Sequence, residues 1–134
     1  MASVAKEWRE IPGRYNLIGS KCTNCGKIYF PSRDFCPVCR RKSLGKMEKH
    51  NVCRTGEVFT YTVIYDAPDC NNRMKPYAAV MVRTDDGVMI TGQLVDVDLG
   101  AISIGMRVRA VLRKLDADGA SGVIHYGFKF VSDN

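Results

Sequence analysis

Apolar and polar positions divide this chain into stretches of different period. Near the start, Val4, Trp8 and Ile11 recur at helical spacing behind Ser3, a good N-cap, with Glu7 in the first turns. The pattern predicts a short helix within residues 1–14, stopped by Pro12-Gly13. A helix this short is not stable alone. Trp8, the single tryptophan, must therefore bury against its own chain or anchor a partner, and the pattern leaves both open. Arg14 to Gly19 reads as an extended strand, Lys27-Ile28-Tyr29-Phe30 as its return closed by Pro31, and residues 43–54 as a polar linker strand. From Thr55 the period is two. Glu57 to Tyr65 places Val58, Thr60, Thr62 and Ile64 on one face, with Phe59, Tyr61, Val63 and Tyr65 on the other. After a polar loop from Asp66 to Pro76, strands over 77–83 and 88–94 flank the hairpin turn Asp85-Asp86-Gly87. A longer connection over 95–105 has room for one helical turn. Strands over 107–114 and 123–131 follow, separated by a loose turn. In the last strand Ile124, Tyr126, Phe128 and Phe130 read as inward, His125 and Lys129 as outward. Five strands with the long connection between the third and fourth predict an OB-type barrel, with a small open sandwich as the alternative.

The chemistry lies ahead of the barrel. Cys22-x-x-Cys25 and Cys36-x-x-Cys39 stand ten residues apart, close to the spacing of a zinc ribbon. Each pair on a tight knuckle directs two thiolates at one metal and turns backbone N–H groups toward the sulfurs. Gly26 can supply a positive φ after the first pair, and Pro37 stiffens the second. A tetrahedral S4 set suits Zn(II), with iron the lesser alternative, and a closed shell leaves no position for a substrate water. The expected role of Cys22, Cys25, Cys36 and Cys39 is therefore to hold a structural metal, in preference to forming disulfides. Cys53 and Cys70 remain as free thiols. His50 lies near Cys53, without an orienting acid or an oxyanion motif.

Composition narrows the function without naming it. The chain has 134 residues, 46% apolar and 25% charged, which fits one ordinary domain or two small ones. No apolar run reaches a membrane span, and Met1 to Glu7 lacks the apolar stretch of a signal peptide, so a cytoplasmic protein with metal-ligand cysteines is expected. The net charge of +6 points toward an anionic partner: nucleic acid, a nucleotide-like cofactor or an acidic protein. Arg40-Arg41-Lys42 reads as a solvated turn ahead of a phosphate site. Arg107, Arg109 and Arg113 share a strand face, and Phe59, Tyr61 and Tyr65 could stack on bases, although both rows fit an ordinary solvated face and a barrel core equally well. Catalysis has only scattered candidates, namely His125, Cys53, Cys70 and the Asp66/Asp69 loop.

Trp8-Arg9, Arg14-Tyr15-x-Leu17-x-Gly19, Cys22-x-x-Cys25-Gly26, Tyr29-Phe30-Pro31-x-Arg33 and Cys36-Pro37-x-Cys39 resemble the N-terminal signature of the zinc-ribbon/OB-fold proteins that accompany thiolase-like enzymes. Gly56-Glu57-Val58, Pro76-Tyr77 and Gly105-Met106-x-Val108 resemble the landmarks of that family's OB domain. Ser32 stands where the family often has a second proline. The resemblance implies a mainly β chain: an N-terminal helix (1–14), a rubredoxin-like zinc ribbon and linker (15–54), and a five-stranded OB-fold domain (55–134). It implies four cysteine ligands and a non-catalytic subunit of an acyl-CoA enzyme complex. In its short stand-alone form the family resembles the archaeal subunits that hold acetoacetyl-CoA thiolase and hydroxymethylglutaryl-CoA synthase together in the mevalonate pathway of isoprenoid biosynthesis. That implies a bridging role in which a CoA-linked intermediate stays within the assembly, with a CoA thioester as a further contact but no residue assigned to it. A nucleic-acid-binding module, or an accessory subunit of another acyl-CoA enzyme, is the alternative.

Overall fold

The computed structural model describes residues 4–66 and 74–133. It opens with helix α1 (Val4–Asn16). Strands β1 (Ile18–Cys22), β2 (Ile28–Tyr29) and β3 (Met47–Asn51) then form an antiparallel sheet in the order β2-β1-β3. Strands β4 (Thr55–Ile64), β5 (Tyr77–Thr84), β6 (Met89–Leu94), β7 (Arg107–Ala117) and β8 (Ile124–Ser132) close into a barrel ordered β4-β5-β6-β8-β7, with β7 pairing back to β4. All barrel pairings are antiparallel except β6 with β8, which meet in parallel at Leu94 and Phe130. Closure decides for the OB barrel over the open sandwich. The predicted turn between β6 and β7 is a single 3-10 turn at Leu99–Ala101, whose Gly100 N–H faces the Asp98 carboxylate. At the β5–β6 hairpin Gly87 takes φ 80°, and the Thr84 N–H donates to the Val88 carbonyl at 2.9 Å.

Apolar alternation packs the barrel. Val58, Val80, Val82, Ile90, Val108 and Phe130 fill its interior. The same core continues into the ribbon through Leu17 and Val52, whose backbones join by a Val52 N–H to Leu17 carbonyl hydrogen bond of 3.0 Å. Phe30 meets Phe128 edge-on at 5.8 Å between ring centres, and Phe128 meets Phe130 in the same way. Ribbon and barrel therefore share buried side chains, and unfolding one exposes apolar surface of the other.

Several local expectations are corrected. Helix α1 does not stop at Pro12-Gly13 but runs to Asn16, so residues 14–16, expected to be extended, are helical. Pro12 has no N–H for the Trp8 carbonyl, yet Trp8 and Pro12 are both exposed, which leaves that carbonyl on the solvent side. The last turn is held from within: Arg14 pairs with the Glu7 carboxylate and donates to the Glu7 carbonyl at 3.0 Å. The covered face consists of Glu7, Ile11, Arg14 and Tyr15; of the predicted stripe Ile11 lies on it and Trp8 does not. The proposed Ser3 cap lies outside the described residues. Residues 47–51 are no linker: they pair with β1 along its whole length, from Ile18–Asn51 to Cys22–Met47.

In β4 a bulge between Val58 and Thr60 shifts the alternation. Val58 stays inside, while Phe59, Thr60, Tyr61 and Thr62 are exposed, so neither predicted face of this strand is continuous. In β8, Phe130 is inside but Ile124 and Tyr126 are exposed, because residues 124–128 extend past the barrel, paired only with β7, and are covered in part by α1 and Phe30. His125 and Lys129, expected to point to solvent, are covered instead.

Candidate metal centre and the surfaces around it

Two knuckles of the same geometry carry the four cysteines. In the first, the Gly26 N–H donates to the Cys22 carbonyl at 2.8 Å, and Gly26 takes φ 75°. In the second, the Arg40 N–H donates to the Cys36 carbonyl at 2.8 Å, and Arg40 takes φ 50°. The equivalent offset, one residue after each second cysteine, was the signal available for this left-handed arginine. A non-glycine residue costs about 1–2 kcal/mol there. Behind the second knuckle the buried Ser43 hydroxyl accepts from the Cys36 N–H at 2.9 Å and donates to the Arg40 carbonyl at 2.6 Å. The Ser20 hydroxyl accepts from the Arg33 N–H at 2.8 Å and ties the intervening loop to β1.

The Sγ atoms of Cys22, Cys25, Cys36 and Cys39 all lie within 4.8 Å of one another, with Cys25 and Cys36 at 3.6 Å. Four sulfurs about 2.3 Å from one Zn(II) form a tetrahedron with edges of about 3.8 Å, so this set fits a single four-coordinate ion. Its environment favours thiolate. The Tyr29 hydroxyl contacts the Cys36 sulfur at 3.2 Å, and the Asn24 amide donates to the Cys39 sulfur at 3.1 Å. The Tyr29 hydroxyl, opposed by burial and helped by the Cys39 and Val38 N–H groups, brings the Cys36 thiol down to about 6. Cys25 accepts from the Lys27 N–H, but burial and the neighbouring sulfurs of Cys39, Cys36 and Cys22 push it up to about 12. Without a cation the four sulfurs do not share a negative charge equally; a divalent ion removes that conflict. Seven basic residues and one acid lie between Lys21 and Lys46, which offsets a dianionic tetrathiolate centre. Cys22 and Cys36 are fully buried, so the site is closed on the chain side.

The remaining sequence candidates are dispersed. Cys53 donates both its N–H (2.6 Å) and its thiol (3.1 Å) to Asp86, and that carboxylate together with burial holds the thiol above its ordinary range. His50 Nε2 stands 3.6 Å from the same carboxylate. Asp86 thereby ties the β5–β6 hairpin to the ribbon–barrel junction. His125 lies between Glu7 (3.2 Å) and Asp118 (3.7 Å), where it pins α1 to β8. Asp66 is exposed; Asp69 and Cys70 fall outside the described residues. Arg40–Ser43 is a 3-10 turn whose Arg40, Arg41 and Lys42 are exposed. The arginine row of β7 is spoken for: Arg107 pairs with Asp85 (2.8 Å), Arg109 with Asp133 (3.5 Å) and Arg113 with Asp96 (2.9 Å).

Large apolar side chains are exposed on both halves of the molecule. Trp8 is 74% exposed on α1, so among the described residues it is not buried against its own chain. Phe35, Val38 and Leu44 are exposed around the second knuckle, as are Phe59 and Tyr61 on β4 and Tyr65 just after it. Among the described residues no helix is long and apolar enough to cross a membrane.

Two family models match this chain: the rubredoxin-like zinc ribbon domain of ChsH2 over residues 9–45, and the C-terminal OB-fold domain of ChsH2 over residues 50–113. A DUF35 domain-containing scaffold protein of Methanocaldococcus jannaschii is 45% identical over 127 residues, covering 95% of this chain and 89% of the relative. A protein of the same description from Methanothermobacter thermautotrophicus is 45% identical over 130 residues, covering 97% and 96%. One from Pyrococcus furiosus is 35% identical over 127 residues, covering 95% and 90%. Among solved structures, a chain of the Ltp2-ChsH2(DUF35) aldolase superposes with a TM-score of 0.74 at 22% identity, over 97% of this chain and 94% of that one. At that identity the likeness speaks for the fold alone.

Proposed function

This chain belongs to the DUF35 family of ChsH2-type zinc-ribbon and OB-fold proteins, and from that premise we propose that it is a non-catalytic scaffold subunit of an acyl-CoA-processing complex. Relatives at 45% identity over nearly the whole chain are described as scaffold proteins. In this reading Cys22, Cys25, Cys36 and Cys39 hold a structural Zn(II). The ion crosslinks the two knuckles and gives the ribbon a fixed shape that its small apolar content cannot supply. The ligated metal has no catalytic duty.

The partners we assign are acetoacetyl-CoA thiolase and hydroxymethylglutaryl-CoA synthase. The observation that carries a bridging role is the exposure of large apolar side chains on ribbon and barrel alike, Phe35 and Val38 on one, Phe59 and Tyr61 on the other. A protein that joins two enzymes needs two such faces, held at a fixed separation by a rigid body. The shared core at Leu17 and Val52 supplies that rigidity. Trp8 adds an anchor on a helix locked by Glu7, Arg14 and His125. A CoA-linked intermediate released by one enzyme is then captured by the other at high effective concentration.

The exposed aromatics of β4 also suit base stacking, which keeps a nucleic-acid-binding module as the competing reading. Against it, each arginine of the β7 row already has a carboxylate partner. Sedimentation of the chain with both purified enzymes tests the proposal. A ternary complex is expected, with Phe35→Ser and Phe59→Ser each removing a different enzyme. Retention of both enzymes by both variants, or tight salt-dependent binding of single-stranded DNA in place of either enzyme, counts against it.

A further inference from the structure

Strands β6 and β8 meet at one parallel pair, Leu94 with Phe130. Beside that pair lies a cavity of about 460 Å³, walled by β5, β6, β7, β8 and the connection that follows β6. This is the size of pocket that takes a small organic ligand. Its apolar wall includes Tyr77, Leu94, Val97 and Leu99, and its polar wall includes Gln93, Arg113 and Lys129.

Lys129 is the unusual member. The residue is 4% exposed. A surface lysine normally lays its stem on apolar atoms and keeps the ammonium in water; this one is almost wholly covered and meets solvent only through the cavity. Among the described residues its one polar contact is the Met74 thioether, 3.4 Å from Nζ. The Gln93 amide is directed at the same sulfur, at 3.8 Å. A thioether is a weak acceptor and does not satisfy the Lys129 ammonium, and the partly exposed Gln93 amide adds a second donor at the same point. Among the described residues the one carboxylate lining the cavity, Asp96, is already paired with Arg113 at 2.9 Å. Burial, and then the charge of Arg113, hold the Lys129 ammonium below its ordinary range. Such a group is costly to bury unless an anion joins it.

We propose that this cavity binds a small amphipathic anion, whose carboxylate or phosphate oxygens are received by Lys129 and Gln93 and whose apolar part lies against Leu94, Val97 and Leu99. The site is separate from the metal centre and does not depend on the scaffold role. A phosphate monoester and a short-chain carboxylate share the required chemistry, and the test separates them.

Sodium hexanoate and inorganic phosphate are titrated separately into the full chain, with amide 15N–1H shifts as the readout. The expected result is a saturable shift at Leu94, Val95 and Phe130 with at least one of the two probes. Response to hexanoate alone identifies a carboxylate with an apolar tail; response to phosphate alone identifies a phosphate group. Lys129→Met should weaken that binding by about tenfold or more, because a charged hydrogen bond is lost. Gln93→Leu, which leaves the charge in place, should weaken it to a smaller but measurable degree, and it carries the test if Lys129→Met does not fold. Absence of saturable shifts with both probes, or parental affinity in the folded variants, overturns the proposal.

Discussion

Replacing Cys36 by serine should show how far the stability of the barrel depends on the metal. The Cys36 sulfur is fully buried and gathers the Tyr29 hydroxyl and the N–H groups of Val38 and Cys39. A hydroxyl there is a hard, weakly acidic donor in place of a thiolate. Structural zinc in small modules contributes about 10–16 kcal/mol, so one ligand of four accounts for roughly 3 kcal/mol, or about a hundredfold in metal affinity. Once the knuckles loosen, β1 and β3 lose their anchor, and Leu17 and Val52 leave the common core. Full burial of each such side chain contributes about 1.5–3 kcal/mol. The barrel therefore loses roughly 3–6 kcal/mol of a total near 5–15 kcal/mol. That corresponds to a fall in Tm of roughly 10–20 °C. Metal content by chromophoric chelator and thermal unfolding by near-ultraviolet circular dichroism measure both quantities on one sample. Cys53→Ser, whose sulfur meets Asp86 and lies outside the cluster, is the control and should keep its metal. A Cys36→Ser protein that retains one metal per chain and melts with the parent would refute the reasoning.

Three further outcomes are expected. Gly56→Ala should cost about 1–3 kcal/mol in urea denaturation, because the added Cβ overlaps the Arg83 carbonyl oxygen and sits 2.8 Å from Thr84 Cα. Trp8→Ala should leave urea stability within about 0.5 kcal/mol of the parent, since the ring is exposed, while weakening enzyme association by about thirtyfold if it is a true anchor; the reverse pattern would mean that Trp8 supports the fold. Asp85 is held at about 2 by Arg107 and then Thr55, below its ordinary 3.8. A depressed carboxyl contributes stability that is complete above about pH 4 and disappears as the pH falls through about 2. Asp85→Asn should therefore be less stable than the parent at neutral pH, with most of the gap gone at pH 2 and the rest lost below it, as read from acid-unfolding curves; a gap at pH 2 as large as that at neutral pH would show that the pair does not act through charge.

The parts that a local rule controls were legible in the sequence. Cysteine spacing marks the knuckles, Asp86-Gly87 marks the hairpin, and the long connection after β6 marks the barrel order. The parts that distant contacts control were not. Helix α1 outlasts Pro12 because Glu7 is fixed by Arg14 seven residues on and by His125 at the far end of the chain. Its covered face is partly charged, so apolar periodicity finds Ile11 but assigns Trp8 to the wrong side. The exposed Phe59 follows from a bulge, which adds a residue without any composition signal. Lys129 has the outward phase of β8, but the connection after β6 and the segment at Met74 cover it. The polar stretch over 43–54 looked like a linker because half of a two-faced ribbon strand faces water.

The bridging role is tested most directly by recovering the chain from its native cell extract under gentle conditions and counting what accompanies it by quantitative mass spectrometry. The account predicts acetoacetyl-CoA thiolase and hydroxymethylglutaryl-CoA synthase together, in a fixed ratio to this chain that Trp8→Ala lowers. Recovery with nucleic acid, or with neither enzyme, would contradict it.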